Sequence, residues 1–118
     1  MTTKADFKRS LDAYQAKPGR FRMLHVPDMQ YLMIDGCGDP NSSPAFAEAI
    51  AALYPVAYKL KFASKRDLDR DYVVMPLEGL WWAADMGSFT ARDKSRWNWT
   101  LMIMVPDWIA QPAFTAAV

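Results

Sequence analysis

Apolar residues first recur with a helical step near the start of the chain. Phe7, Leu11 and Tyr14 are spaced by four and three residues, one face of a helix. This spacing predicts a short helix or ordered arm over Asp6 to Ala16, ended by Pro18-Gly19. Phe21 to Ile34 reads as extended, with a bend at Pro27-Asp28. The continuous apolar run Tyr31-Leu32-Met33-Ile34 suggests a strand covered on both faces. Asp35 to Asn41, with two glycines and a proline, has the local signals of a loop.

The strongest helical pattern follows. Ser43 is placed as an N-cap and Pro44 as the first helical residue, where a missing N–H costs nothing. Phe46, Ile50, Leu53, Tyr54 and Ala57 form an amphipathic stripe, which Tyr58 and Phe62 would continue. Pro55 is expected to bend this helix or break it after Tyr54. Lys59, Lys61, Lys65 and Arg66 load its end with cations, as the helix dipole favours, and read as a solvated helix end. Beyond the charged connector Lys65 to Asp71, Tyr72–Met75 and Leu77–Ala83 are strand candidates separated by Pro76. Asp85 to Ser95 reads as a hairpin loop. Arg96 to Val105 alternates as a long strand, with Trp97, Trp99, Leu101, Ile103 and Val105 on one face and Asn98, Thr100, Met102 and Met104 on the other. Trp108 to Val118 starts a further element. The order strand, helix, strand, strand behind a helical arm predicts an α+β layer, an antiparallel sheet with a helix on one face.

Composition narrows the function. The 118 residues suffice for one domain. Fourteen basic residues against thirteen acidic ones leave a net charge of +1, which gives no electrostatic reason to expect nucleic acid or an anionic membrane as partner. No apolar stretch approaches the roughly 20 residues of a membrane-spanning helix. No signal peptide is recognised, since Lys4, Asp6, Lys8 and Arg9 precede any apolar run, so the cytoplasm is the expected location. One cysteine, Cys37, and one histidine, His25, make neither an internal disulfide nor a structural metal site, and no metal or other cofactor is expected. His25 reads as a strand histidine and Cys37 as a small turn residue.

The candidate chemistry lies in Leu77-Glu78-Gly79-Leu80-Trp81-Trp82. In a strand, Glu78, Leu80 and Trp82 share one face, while Leu77, Gly79 and Trp81 share the other. A carboxylate in apolar company is a proton-transfer group or a partner for a cation, and tryptophan faces offer cation–π attraction and flat apolar surface. The same pattern also fits a solvent-facing glutamate on a sheet whose tryptophans are core.

Several blocks together resemble a known family. Asp35-Gly36-Cys37-Gly38-Asp39-Pro40-Asn41, Ala52-Leu53-Tyr54 with Ala57-Tyr58-Lys59-Leu60-Lys61-Phe62, Asp71 to Trp82, and Trp97-Asn98-Trp99-Thr100-Leu101-Met102-Ile103 before Pro106-Asp107 look like the GyrI-like small-molecule-binding family. In particular they resemble its stand-alone branch of cyclopropanoid hydrolases. The resemblance implies a β-α-β-β module, half of a pseudo-twofold domain whose ligand lies in the groove between two modules. It divides the chain into an arm (1–20), a first module (21–106) and the start of a truncated second module (107–118). It implies a planar hydrophobic or cationic small molecule as ligand, and a homodimer or second module to complete the groove.

By the same resemblance Glu78 matches the family's glutamate and would be catalytic, and Trp81 and Trp82 match its aromatic residues and would bind ligand. Trp97, Trp99 and Tyr58 are further ligand-binding candidates. For Trp97 and Trp99 the sheet register decides between groove and core, and the helical stripe places Tyr58 inward. The expected activity is water addition to the strained cyclopropane of planar DNA-alkylating natural products, a self-protection reaction. The alternative is a non-catalytic binder or sensor of hydrophobic cations, and a structural or inhibitory module is a third reading. With no DNA-binding helix-turn-helix before the module, this chain is not expected to be a complete transcription regulator.

Overall fold

The structure, a computed structural model, describes residues 4–84, 87 and 93–118. The described elements are α1 (Phe7–Ser10) with a 3-10 turn at Asp12–Tyr14, β1 (Gln30–Cys37), α2 (Pro44–Leu68), β2 (Glu78–Trp82), a 3-10 turn at Lys94–Arg96, β3 (Asn98–Val105) and α3 (Gln111–Ala117). The three strands form one antiparallel sheet in the order β1-β3-β2. The last strand of the sequence is thus the central one. α2 packs across one face, giving the α+β layer and the β-α-β-β order expected from the sequence.

Pairing defines two faces. Gly36 lies opposite Trp99, Ile34 opposite Leu101 and Leu32 opposite Ile103, while on the other side Trp81 pairs with Trp99 and Gly79 with Leu101. These residues share the face under α2, where Ala49, Leu53, Ala57 and Leu60 meet Leu32, Trp99, Leu101 and Ile103 in the core. Trp99 is 1% exposed and sets its edge against the Phe46 ring, centroids 5.3 Å apart. Its indole lies directly over Gly36, where an added Cβ would fall 2.2 Å from the ring. Only glycine leaves room for that approach.

Several local expectations are corrected. The strand begins at Gln30, not Phe21; Phe21 and Met23 are fully exposed, and His25 lies in the same irregular exposed segment. β1 is covered on one face only, since Leu32 is buried while Met33 is half-exposed. It also extends to Cys37, because β3 supplies ladder partners through Asp35, Gly36 and Cys37, so the loop begins at Gly38. Pro55 does not end α2; it sits on the exposed side of a helix that continues to Leu68. Tyr72–Met75 is no strand and contributes one parallel bridge, Tyr72 to Ala5 of the arm. The expected hairpin loop falls largely on residues 85, 86 and 88–92, which lie outside the described residues.

The buried stripe of α2 is Ala49, Leu53, Ala57, Leu60 and Ser64, which leaves Tyr58 and Phe62 exposed and stacked on each other. Small side chains at positions 57 and 64 bring the helix close to its neighbours, and the large rings of Tyr58 and Phe62 point away. Lys61 is not part of a solvated helix end. It is buried, with Nζ 2.5 Å from Asp71 Oδ1, and Lys65 Nζ stands 4.0 Å from the other oxygen. The Lys61 hydrogen bond, with Coulomb attraction and the Tyr72 backbone N–H, holds the Asp71 carboxyl below its usual range against the opposing effect of burial. α3 packs on α2, and Trp108 before it meets Phe7 and Tyr72 and lies under the Arg70 guanidinium.

Candidate active site

The sheet face away from α2 carries a different set of residues. In register across the three strands, Met33, Met102 and Glu78 form one row, with Asp35, Thr100 and Leu80 in the next and Cys37, Asn98 and Trp82 beyond. On the other side of Glu78's row, Tyr31 stands opposite Met104. Leu80 (54%), Met33 (54%) and Trp82 (43%) are all substantially exposed, so this face presents apolar surface to its surroundings. The expected grouping of Glu78, Leu80 and Trp82 on one face is what the register gives.

The arm crosses toward this face. Its start is tied to the segment after α2, through Ala5 N–H to the Asp71 carbonyl and Val73 N–H to the Ala5 carbonyl. Phe7 and Leu11 pack on the core and line a cleft with Met29 and Met104. These contacts bring Tyr14, the last residue of the 3-10 turn, to Glu78: its hydroxyl donates to Glu78 Oε2 at 2.6 Å. That length is typical of a hydroxyl bonded to a carboxylate. Burial, then this hydrogen bond and the Glu78 charge, push the Tyr14 phenol well above the usual tyrosine range. The Tyr31 phenol is also raised, by burial first and the Glu78 charge second. Glu78 is half-buried, and among the described residues no Lys or Arg forms an ion pair with it. A second carboxylate, Asp35, accepts from Thr100 Oγ1 at 2.5 Å on the same face. It stands two strands from Glu78, roughly 10 Å across the sheet and one row along.

The sequence-derived candidates therefore divide. Glu78 and Trp82 lie together on the open face. Trp81 points to the helix side, its ring 5.8 Å from Phe46 and 6.0 Å from Trp97. Trp99 is core and presents no surface to a ligand. Trp97 belongs to the same helix-side aromatic cluster. Tyr58 is on the exposed side of α2, across the sheet from Glu78. Tyr14, Tyr31 and Asp35 are the residues that sequence reading missed. Tyr14 read only as a packing residue of the arm, Tyr31 as part of an apolar run, and Asp35 as loop. Had Tyr31 and Asp35 been placed in one strand, their parity would have put them on one face; nothing local signals the Tyr14 contact, which spans 64 positions.

Among the described residues no group of three or more His, Cys, Asp or Glu side chains is placed to hold a metal ion, and no helix is long and apolar enough to cross a membrane. The arrangement supplies a carboxylate that can accept a proton or face a cation, a phenol that holds it, and a flat apolar surface beside it.

No protein-family model matches the chain, and no curated protein does. Solved structures do. An uncharacterized conserved protein of Listeria innocua matches with 35% identity and a TM-score of 0.84 over 97% of this chain. Two hydrolases of the same bacterium match with 34% and 35% identity and TM-scores of 0.78 and 0.81. The chain spans only 56–57% of the length of these three proteins.

Proposed function

We propose that the chain is a small-molecule-binding module of a GyrI-like hydrolase, and that Glu78 is its general base. The observation that carries this reading is the Glu78 carboxylate held by Tyr14 on an open, apolar sheet face. Similarity to the two Listeria hydrolases supports the reaction class. The resemblance of the Leu77–Trp82 block to cyclopropanoid hydrolases supports the substrate, a planar DNA-alkylating compound with a spirocyclopropane conjugated to a carbonyl. Glu78 takes a proton from water, and the water oxygen bonds to a ring methylene as the strained C–C bond breaks. The released electron pair moves to the conjugated carbonyl oxygen, which becomes a phenol on protonation. Trp82, Leu80 and Met33 provide the flat apolar surface that holds the substrate against this water. A second copy of the chain, or a second module, covers the open face and completes the groove.

Incubation with such a compound is expected to give a ring-opened product heavier by one water, and Glu78→Gln to slow it at least about 100-fold. Absence of the product, or unchanged turnover in the variant, overturns the reading. The lack of an ion-pair partner for Glu78 among the described residues favours a second reading, binding of hydrophobic cations without turnover. In that case Glu78→Gln weakens cationic dyes more than neutral ones of the same shape, and equal losses would exclude it.

A further inference from the structure

The residue that touches the Glu78 carboxylate comes from outside the sheet. Tyr14 is carried by the arm, which is fixed to the body at two places: the Ala5 hydrogen bonds to Asp71 and Val73, and the Phe7 ring 5.9 Å from Trp108. With the arm so anchored, Tyr14 meets Glu78 as a fixed partner. A carboxylate at the first position of a strand has freedom about its own side-chain torsions. One hydroxyl on Oε2 removes most of it and leaves Oε1 as the oxygen available to a water or ligand. Tyr31 stands beside this pair on the neighbouring row, close enough to Glu78 for its phenol to feel the negative charge.

We propose that Tyr14 is a positioning residue for Glu78, so that the arm is a working part of the site on which the hydrolase reading rests. A positioned base acts on a water already aligned with the reacting carbon, and a loosely held one loses rate without losing affinity. The role asks nothing of the Tyr14 ring beyond its hydroxyl, and Phe at this position keeps the packing against the core.

Three variants separate the contributions. Tyr14→Phe is expected to lower kcat roughly 10-fold, the scale of a lost hydrogen bond to a charged group, with KM within about a factor of two and a melting temperature lowered by no more than a few degrees. Tyr14→Ala should lower kcat and also loosen the arm, seen as a lower melting temperature. Tyr31→Phe should have a smaller effect on kcat than Tyr14→Phe. Wild-type kcat in Tyr14→Phe, or a loss that appears only in KM, overturns the proposal.

A second measurement does not need turnover. With tyrosine labelled at the ring carbon bearing the hydroxyl, an NMR titration should show the Tyr14 resonance responding to base earlier in Glu78→Gln than in wild type. The Tyr72 resonance should stay put, since its phenol is pushed up to about 12 by burial and by Asp71. A Tyr14 resonance that titrates identically in both proteins means the contact is absent, and overturns the proposal even if the enzyme is active. A shifted Tyr14 resonance without hydrated product in the wild type overturns the hydrolase reading and leaves the contact standing.

Discussion

The two faces of one three-stranded sheet have opposite characters. Under α2 the rows read Leu32–Ile103, Ile34–Leu101–Gly79 and Gly36–Trp99–Trp81, all apolar or glycine. On the other face they read Met33–Met102–Glu78 and Asp35–Thr100–Leu80, with a hydroxyl bonded to each acid. The first face is organised by volume, the second by hydrogen bonds set among half-exposed apolar groups. Substitutions on the first should register as stability, and substitutions on the second as activity or binding. This difference locates function more sharply than the aromatic content of the chain, because the tryptophans are divided between the faces.

The contrast can be broken in several ways. The largest effect is expected from Trp99→Ala, which removes a buried indole and leaves a cavity, at a cost of about 3–5 kcal/mol in urea unfolding. Gly36→Ala should also be strongly destabilising, because the new methyl and the Trp99 ring cannot occupy the same space. If either variant unfolds like wild type, the helix-side packing described above is wrong. Glu78→Gln comes next: the rate loss of about 100-fold should be accompanied by a stability change of no more than roughly 1.5 kcal/mol. A large drop in melting temperature would instead make Glu78 a structural residue.

Trp82→Ala is expected to weaken a planar ligand about 10-fold while leaving unfolding nearly unchanged, as titration calorimetry and thermal melts would show together. The same substitution should abolish most of the ligand-induced fluorescence change, and persistence of that change would move the ligand to the helix side. The smallest effect concerns pH. Asp71 has its carboxyl lowered in the folded chain by Lys61, so the stability it contributes is full above the unfolded value of about 4 and is lost as pH falls through the folded one. Acid unfolding should therefore steepen below about pH 4 in wild type and be shallower in Asp71→Asn.

Much of the fold was legible because it rests on short-range signals. Ser43-Pro44 marks the start of α2, and the alternation in Asn98–Val105 and in Glu78–Trp82 assigns side chains to faces. What was not legible depends on partners distant in sequence. Whether Trp99 is groove or core follows from which face α2 covers. In the sequence Lys61 is one more cation at a helix end; in the fold the chain turns back after α2 and Asp71 meets it. The helical pattern places Tyr58 inward because it weighs size, whereas the packed stripe selects Ala57 and Ser64 for close approach. For the site, Glu78 and Trp82 were legible from parity, and Tyr14 was not, since its spacing in the arm describes only packing.

The strand order also has a consequence for how the chain reaches its folded state. β3 lies between β1 and β2 and follows both in sequence, so no β1–β2 ladder exists to form beforehand. During synthesis the first two strands wait without sheet partners until residues 98–105 are free, and the apolar Leu-Trp-Trp end of β2 is exposed meanwhile. All pairing is then long-range, which slows folding and lengthens the time in which such segments can find each other on different chains. Soluble yield on expression is therefore expected to respond more to temperature and to chaperone supply than the stability of the finished fold would suggest.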